Sequence, residues 1–276
     1  MVVNFVKMEG LGNDFVIIDL REKSFHLLQH DVCRIADRRF GVGCDQVLLI
    51  DKAESELADF SYRVFNSDGT SAAHCGNGLR CVMSYLSRRK DIEKKACVEI
   101  GAELYFAQVL PGDIIKVSMG KPDFDVRKIG LSADYVQNSY KFNMGDQVME
   151  FGAVSMGNPH AVIEVASLQD YDVASVGAEI QNKAGFENGV NVGFVEFQTE
   201  STISLKVWER GVGETPACGT GACAAVAVGV KWGKLNSIVK VRQAGGELAI
   251  EWDPEKDDNL TMTGPANYVF EGTILI

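Results

Sequence analysis

The chain has 276 residues, 46% hydrophobic and 24% charged, with a formal net charge of −11. This implies an ordinary globular core in one large or two modest domains. The acidic balance argues against nucleic acid or an anionic membrane surface as the main partner. No apolar run approaches the ~20 residues of a membrane span.

The opening MVVNFVKMEGLGND soon reaches charges and glycines, so no secretory signal is expected. The first strand candidates are Val47–Ile50 and FSYRVFN, Phe60–Asn66; the latter alternates apolar and polar residues as a half-buried strand does. An apolar helix is expected over Gly76–Arg89, followed by strands at Glu103–Val109 and Ile114–Ser118. Gly120–Pro122 is a turn signal near the midpoint and sets a domain boundary, residues 1–119 and 120–263. Beyond it come strands at Val192–Phe197 and ISLKVWE, Ile203–Glu209, then a second apolar helix over Gly219–Lys231. Strands at Ser237–Gln243 and Glu247–Trp252 complete the series. Both helices are apolar nearly all round, so each is expected to be buried and wrapped by its own sheet.

The seven cysteines are Cys33, Cys44, Cys75, Cys81, Cys97, Cys218 and Cys223. An odd count without a secretory signal points to reduced thiols in the cytoplasm. Cys75 and Cys81 are six apart and Cys218 and Cys223 five apart, unlike the Cys-x-x-Cys pairs of a structural zinc site, so no metal is expected.

Two cysteines share a setting. AHCGNGLRC (Ala73–Cys81) and PACGTGACA (Pro216–Ala224) each place Cys-Gly-x-Gly before a helix, with Cys75 and Cys218 143 positions apart. Asn66 and Glu209 each stand nine residues ahead of their cysteine, at the ends of FSYRVFN and ISLKVWE. Further upstream, Asn13 answers Asn158 and Gln46 answers Asn191, at an offset of 145. The order Asn13, Gln46, Asn66, Cys75 thus recurs as Asn158, Asn191, Glu209, Cys218. The chain reads as two halves of similar architecture facing each other across a cleft.

A cysteine just before a helix meets backbone N–H groups that lack intrahelical partners and the positive end of the helix dipole, a setting that favours thiolate. The adjacent glycines let amides approach an anion, so Gly76-Asn77 and Gly219-Thr220 are candidate donors to a substrate carboxylate. With two such ends opposed, one thiolate takes a proton from a carbon and the other thiol supplies one from the opposite face. That is two-base racemase or epimerase chemistry at an amino-acid α-carbon. It needs no pyridoxal phosphate, and no cofactor is expected. Glu209 offers a carboxylate to an ammonium group, and Arg210 a planar fork to a second carboxylate. Asn13, Gln46, Asn66, Asn158 and Asn191 are amides that both donate and accept, suited to a doubly zwitterionic substrate. Read singly, each asparagine is an ordinary turn residue, and only the recurrence marks it. His160 is a candidate for tuning the thiols together with Glu209, or a structural histidine.

MEGLGNDF, RRFGVGCDQ, FNSDGT, CGNGLRC, MGNPHAV, NGVNVGFV and ERGVGETPACGTGACAA, spread in order over nearly the whole chain, resemble the diaminopimelate epimerase family. The resemblance implies interconversion of LL- and meso-2,6-diaminopimelate in lysine and peptidoglycan precursor synthesis. It implies an α+β fold of two similar domains, each a mixed, barrel-like sheet wrapped around a central helix, with the active site in the cleft between them. Residues 264–276 would return to the first domain, and the enzyme would be a cytoplasmic homodimer, with Tyr268 a candidate dimer contact. For LL to meso it makes Cys75 the proton donor and Cys218 the acceptor. His74 departs from the family, which usually has an apolar residue before this cysteine. The rival readings are another cofactor-independent racemase or isomerase of the superfamily, a thiol redox protein, and a non-catalytic amino-acid-binding protein.

Overall fold

The computed structural model describes the chain except Ser24, Ala73 and Asp146, and describes Asp257 and Asp258 by backbone alone. Ala73, which opens the first cysteine stretch, therefore lies outside the described residues. The chain divides into two compact units, Met1–Ser118 with Thr263–Ile276, and Met119–Met262.

The first unit opens with β1 (Val2–Gly10), β2 (Asn13–Asp19), α1 (Gln29–Ala36), β3 (Gln46–Asp51), β4 (Phe60–Asn66) and β5 (Ser71–Ala72). The central helix α2 (Gly76–Arg88) follows, then β6 (Lys95–Ile100), β7 (Glu103–Leu110) and β8 (Ile114–Ser118). The second unit starts with α3 (Val126–Ile129), β9 (Tyr140–Met144), β10 (Gln147–Ser155), β11 (Pro159–Glu164) and α4 (Val173–Lys183). It continues through β12 (Asn191–Thr199), β13 (Thr202–Glu209), β14 (Gly213–Thr215), α5 (Gly219–Lys231), β15 (Ile238–Gln243) and β16 (Gly246–Asp253). Within β17 (Asp257–Pro265) the chain passes back to the first unit, where β18 (Asn267–Leu275) ends it.

The two units repeat one plan. In the first, β1–β2, β3–β4 and β6–β7 pair antiparallel, while β2–β3 and β4–β6 pair parallel. In the second, β10–β11, β12–β13 and β15–β16 pair antiparallel, while β11–β12 and β13–β15 pair parallel. The first strand of each plan also has an extra antiparallel neighbour, β18 beside β1 and β9 beside β10. The expected mixed sheets wrapped around central helices are therefore present twice. Gly76–Leu86 of α2 are all buried, as are Gly219 and Gly221–Gly229 of α5.

The sequence reading found one helix per half, and the structure has a second against each sheet. Val32, Ile35 and Ala36 of α1 join Val3, Phe5, Val16, Ile18, Val47 and Leu49 in one apolar layer. Val173 and Ile180 of α4 join Phe151, Ala161, Ile163, Val192 and Phe194 in the other. The central sheet strands are therefore covered on both faces, which is why Val47–Ile50 is buried without alternation. By contrast FSYRVFN alternates, as expected of a strand with one covered face. α1 escapes a sequence reading because it has only eight residues, three of them buried.

Gly177 lets α4 approach the sheet. A Cβ there would lie 2.6 Å from both Cβ and Cγ of Trp208 on β13, atoms that cannot swing aside. Helix propensity alone makes alanine better by about 1 kcal/mol. We expect Gly177→Ala to destabilise the second unit instead, by about 1–3 kcal/mol from overpacking; a lower melting temperature by calorimetry is the check.

Candidate active site

The candidate residues fall into two sets, one in each unit. In the first, Cys75 is the N-cap of α2, with extended dihedrals of −138° and 105°. Its Sγ accepts the Gly78 N–H at 3.4 Å and donates to Asn13 Oδ1 at 3.9 Å. Asn13 Oδ1 also takes Asn77 Nδ2 at 3.4 Å, and Asn77 Oδ1 takes Nη1 of the fully buried Arg80 at 2.7 Å. Asn13 is held from behind, its Nδ2 donating to Asp45 at 3.0 Å. Next to it, burial works against the Asp14 carboxylate, but hydrogen bonds from Arg38 and Lys7 outweigh burial and hold that carboxyl far below its usual range. Gln46 and Asn66 face each other across β3 and β4, with Gln46 Nε2 donating to Asn66 Oδ1 at 3.0 Å.

The second set repeats the device. Cys218 is the N-cap of α5, at −125° and 113°, and its Sγ accepts the Gly221 N–H at 3.4 Å. Thr220 Oγ1 lies 3.6 Å from the same sulfur. Glu209, at the end of β13, takes a hydrogen bond from Thr215 Oγ1. Asn191 Oδ1 accepts the Arg210 N–H at 2.8 Å, and its Nδ2 donates to the Pro159 carbonyl at 3.3 Å. Arg210 is exposed, its Nη1 donating to the Asn188 carbonyl at 2.9 Å.

The glycines have a role beyond anion approach. A Cβ on Gly78 would meet Leu48 Cδ1 at 3.1 Å, and one on Gly221 would meet Val207 Cγ2 at 2.9 Å. The second glycine of each Cys-Gly-x-Gly thus presses the first helical turn onto a strand. That contact holds the capping amide against the sulfur.

One expectation is revised for the second set. The helix start was expected to favour thiolate, yet burial first and the Glu209 carboxylate second push the Cys218 thiol well above its ordinary range. The Thr220 and Gly221 hydrogen bonds pull the other way and lose. His160 pairs with Asn158, its Nε2 lying 3.0 Å from Oδ1. Burial, with Arg210 adding, lowers its pKa to about 3, so it is neutral.

Gly76 and Gly219 are buried behind their cysteines. Tyr268 lies on β18, donating to Glu271 at 2.9 Å with the Arg88 guanidinium 6.0 Å from its ring. Sequence reasoning missed Tyr62, whose hydroxyl donates to the Cys75 carbonyl at 2.9 Å, and Gln243, whose Oε1 accepts the Cys218 N–H at 2.8 Å. Only their positions near the motif strands could have signalled them. Among the described residues no cluster of His, Cys, Asp or Glu side chains could hold a metal ion. No helix there is long and apolar enough to cross a membrane.

The fold is similar to that of a hydroxyproline epimerase from Agrobacterium vitis, at a TM-score of 0.72 and 14% identity, covering 99% of this chain and 92% of that one. It is also similar to a phenazine biosynthesis protein of the PhzF family from Bacillus anthracis, at 0.69 and 20%, covering 100% of both. The chain shares its fold with these proteins over nearly its whole length. The family model for diaminopimelate epimerase matches residues 5–124 and 152–269. The diaminopimelate epimerase of Thioalkalivibrio sulfidiphilus is 44% identical over 276 residues, and that of Teredinibacter turnerae 42% over 275, each comparison covering 99% of both chains. The chain belongs to the diaminopimelate epimerase family.

The Cys218 environment sets a titration test. Removing the Glu209 charge in Glu209→Gln removes a repulsion that raises the thiol pKa, so the pH at which Cys218 becomes reactive falls. Alkylation of Cys218 by iodoacetamide against pH, read by peptide mass spectrometry, checks this; an unchanged or raised midpoint refutes it.

Proposed function

We propose that the protein interconverts LL- and meso-2,6-diaminopimelate without a cofactor, Cys75 and Cys218 acting as the proton-transferring pair. The observation that carries this reading is the repeated N-cap: two cysteine sulfurs, each accepting the third helical amide at 3.4 Å, in two units of one plan. Inversion at carbon needs a base on one face and an acid on the other, and the duplication supplies two thiols in like settings.

From LL substrate, Cys218 as thiolate accepts the α-proton and forms an S–H bond. The electron pair of the broken C–H bond delocalises into the adjoining carboxylate. Cys75 then gives its proton to the opposite face, leaving Cys75 as thiolate and Cys218 as thiol; the reverse reaction exchanges the roles. The amides of Gly76-Asn77 and Gly219-Thr220 stabilise the growing carboxylate charge.

Substrate assists the ionisation. Burial and, after it, the Glu209 charge keep Cys218 protonated at rest, and an α-ammonium paired with Glu209 would offset the second of these. The helix-terminal hydrogen bonds at Sγ then meet less opposition, so bound substrate shifts Cys218 toward thiolate. Arg210 holds the distal carboxylate, and Asn13, Gln46, Asn66, Asn158 and Asn191 line the remaining polar contacts. His160 orients Asn158. The place of the reaction is lysine and peptidoglycan precursor synthesis in the cytoplasm, by a homodimer with Tyr268 at its contact.

The test is incubation of the reduced, metal-free and pyridoxal-free protein with LL-diaminopimelate in deuterium oxide. Meso product carrying α-deuterium is expected; no exchange in freshly reduced protein overturns the reading. Cys75→Ser and Cys218→Ser should each lower turnover by about a hundredfold or more while keeping the wild-type melting temperature; near-wild-type turnover in either refutes its role. Arg210→Lys should raise KM more than it lowers kcat, because a planar fork is lost from a binding contact. Loss confined to kcat counts against that placement.

A further inference from the structure

The two thiol settings are alike in backbone and unlike in what fastens the cysteine peptide. The Cys75 carbonyl accepts two hydrogen bonds, the helical one from Leu79 N–H at 2.8 Å and one from the Tyr62 hydroxyl at 2.9 Å. Tyr62 is 1% exposed on β4, and burial raises its pKa well above the ordinary value, so it stays a donor. A tyrosine has one hydroxyl hydrogen. With that hydrogen given to Cys75, the Nδ1 of His74, 3.4 Å from the Tyr62 oxygen, must be the donor to it. His74 is thereby the Nδ1–H tautomer, and its Nε2 is a buried acceptor that the described residues leave without a hydrogen-bond partner. Its ring stacks on Tyr105 with centroids 4.4 Å apart, and burial lowers its pKa to about 4, so it is neutral.

None of this recurs in the second unit. At the offset of 143, Tyr62, His74 and Tyr105 correspond to Leu205, Ala217 and Leu248, which have no polar side-chain atoms. There the Cys218 carbonyl takes Ala222 N–H at 3.0 Å, and the side-chain fastening is on the other side of the residue, Gln243 Oε1 accepting the Cys218 N–H at 2.8 Å. The counterpart of Gln243 at the same offset is Ile100. We infer that Tyr62, oriented by His74, is a positioning residue for Cys75 and that Gln243 is the separate positioning residue for Cys218. Each thiol is aimed by a side chain outside the duplicated set, so the two proton transfers are adjusted independently. His74 has its purpose here, as the donor that fixes which way the Tyr62 hydroxyl points.

The inference rests on the proposed epimerase reading for its kinetic test and has a second test that does not. Tyr62→Phe removes one hydroxyl, and Gln243→Met removes the acceptor at nearly constant volume. Each should lower kcat/KM by about three- to tenfold, the worth of one neutral hydrogen bond. The kinetic readout is the isotope effect with α-deuterated substrate in both directions. Tyr62→Phe should raise it in only one direction, that in which Cys75 is the base, and Gln243→Met in only the other. Unchanged isotope effects in both directions would mark a structural role and overturn the inference.

Without substrate, iodoacetamide alkylation followed at each cysteine by peptide mass spectrometry should change about threefold or more at Cys75 alone in Tyr62→Phe, and at Cys218 alone in Gln243→Met. Changes at both cysteines, or at neither, also overturn it. Should Tyr62→Phe fail to fold, His74→Phe keeps the stack on Tyr105, removes Nδ1–H, and should give the same Cys75-specific change. Wild-type protein that shows no epimerisation but passes the alkylation test would refute the proposed reaction and leave the positioning intact.

Discussion

A helix enclosed by its own sheet cannot give its first amides to water, and the rest of the structure follows from how those amides are satisfied. In α2 and α5 the third amide of the helix goes to the cysteine sulfur at the N-cap. Serine, threonine or aspartate would cap a helix better, so cysteine at both ends gives up capping strength. The amide that caps the helix is also the amide that stabilises a thiolate. Folding and reactivity therefore draw on one contact, and anything that shifts the first turn shifts both.

Opposed terms surround that contact. At Cys218 burial and the Glu209 carboxylate disfavour thiolate, while Gly221 N–H and Thr220 favour it, and protonation wins at rest. A permanently ionised thiol would be exposed to oxidation and alkylation throughout the idle protein. A cation paired with the Glu209 carboxylate would offset one of the two causes that keep this thiol protonated. The same arrangement is reflected in the neutral His160, which buries no charge beside Arg210.

Much of this was legible in the sequence. The alternation of FSYRVFN and ISLKVWE, the apolar run of α5, and the paired Cys-Gly-x-Gly stretches each encode a local rule of burial or backbone geometry. α1 and α4 were not legible, because eight residues with three buried, or a helix carrying Gly177, leave too little period to read. The true reason for Gly78 and Gly221 was only half legible. Their close approach to Leu48 and Val207 depends on where a strand passes, which no spacing records. Tyr62 and Gln243 were invisible for a related reason. Each reads as a strand residue of ordinary kind until the fold brings its polar atom to a cysteine peptide. The protonation of Cys218 was misread because the sequence shows the helix start but not the depth of burial.

The duplication itself has a chemical limit that explains where it stops. At the reacting carbon the two substrates of the proposed reaction differ only in which face carries the proton, so the two thiols need like settings. Accordingly the capped cysteine, its Gly-x-Gly and the strand beneath it occur twice. In the proposed reaction the ammonium on the reacting carbon and the distal carboxylate each lie at one fixed place on the substrate, so groups that would recognise them need exist in only one unit. Accordingly Glu209 and Arg210 stand where the first unit has Asn66 and Ser67, with no charge. A tyrosine serves where the strand beneath α2 has room for a ring, and a glutamine from the neighbouring strand serves α5. Symmetry is kept where inversion demands it, in the backbone at the sulfur, and is absent where the substrate is itself asymmetric.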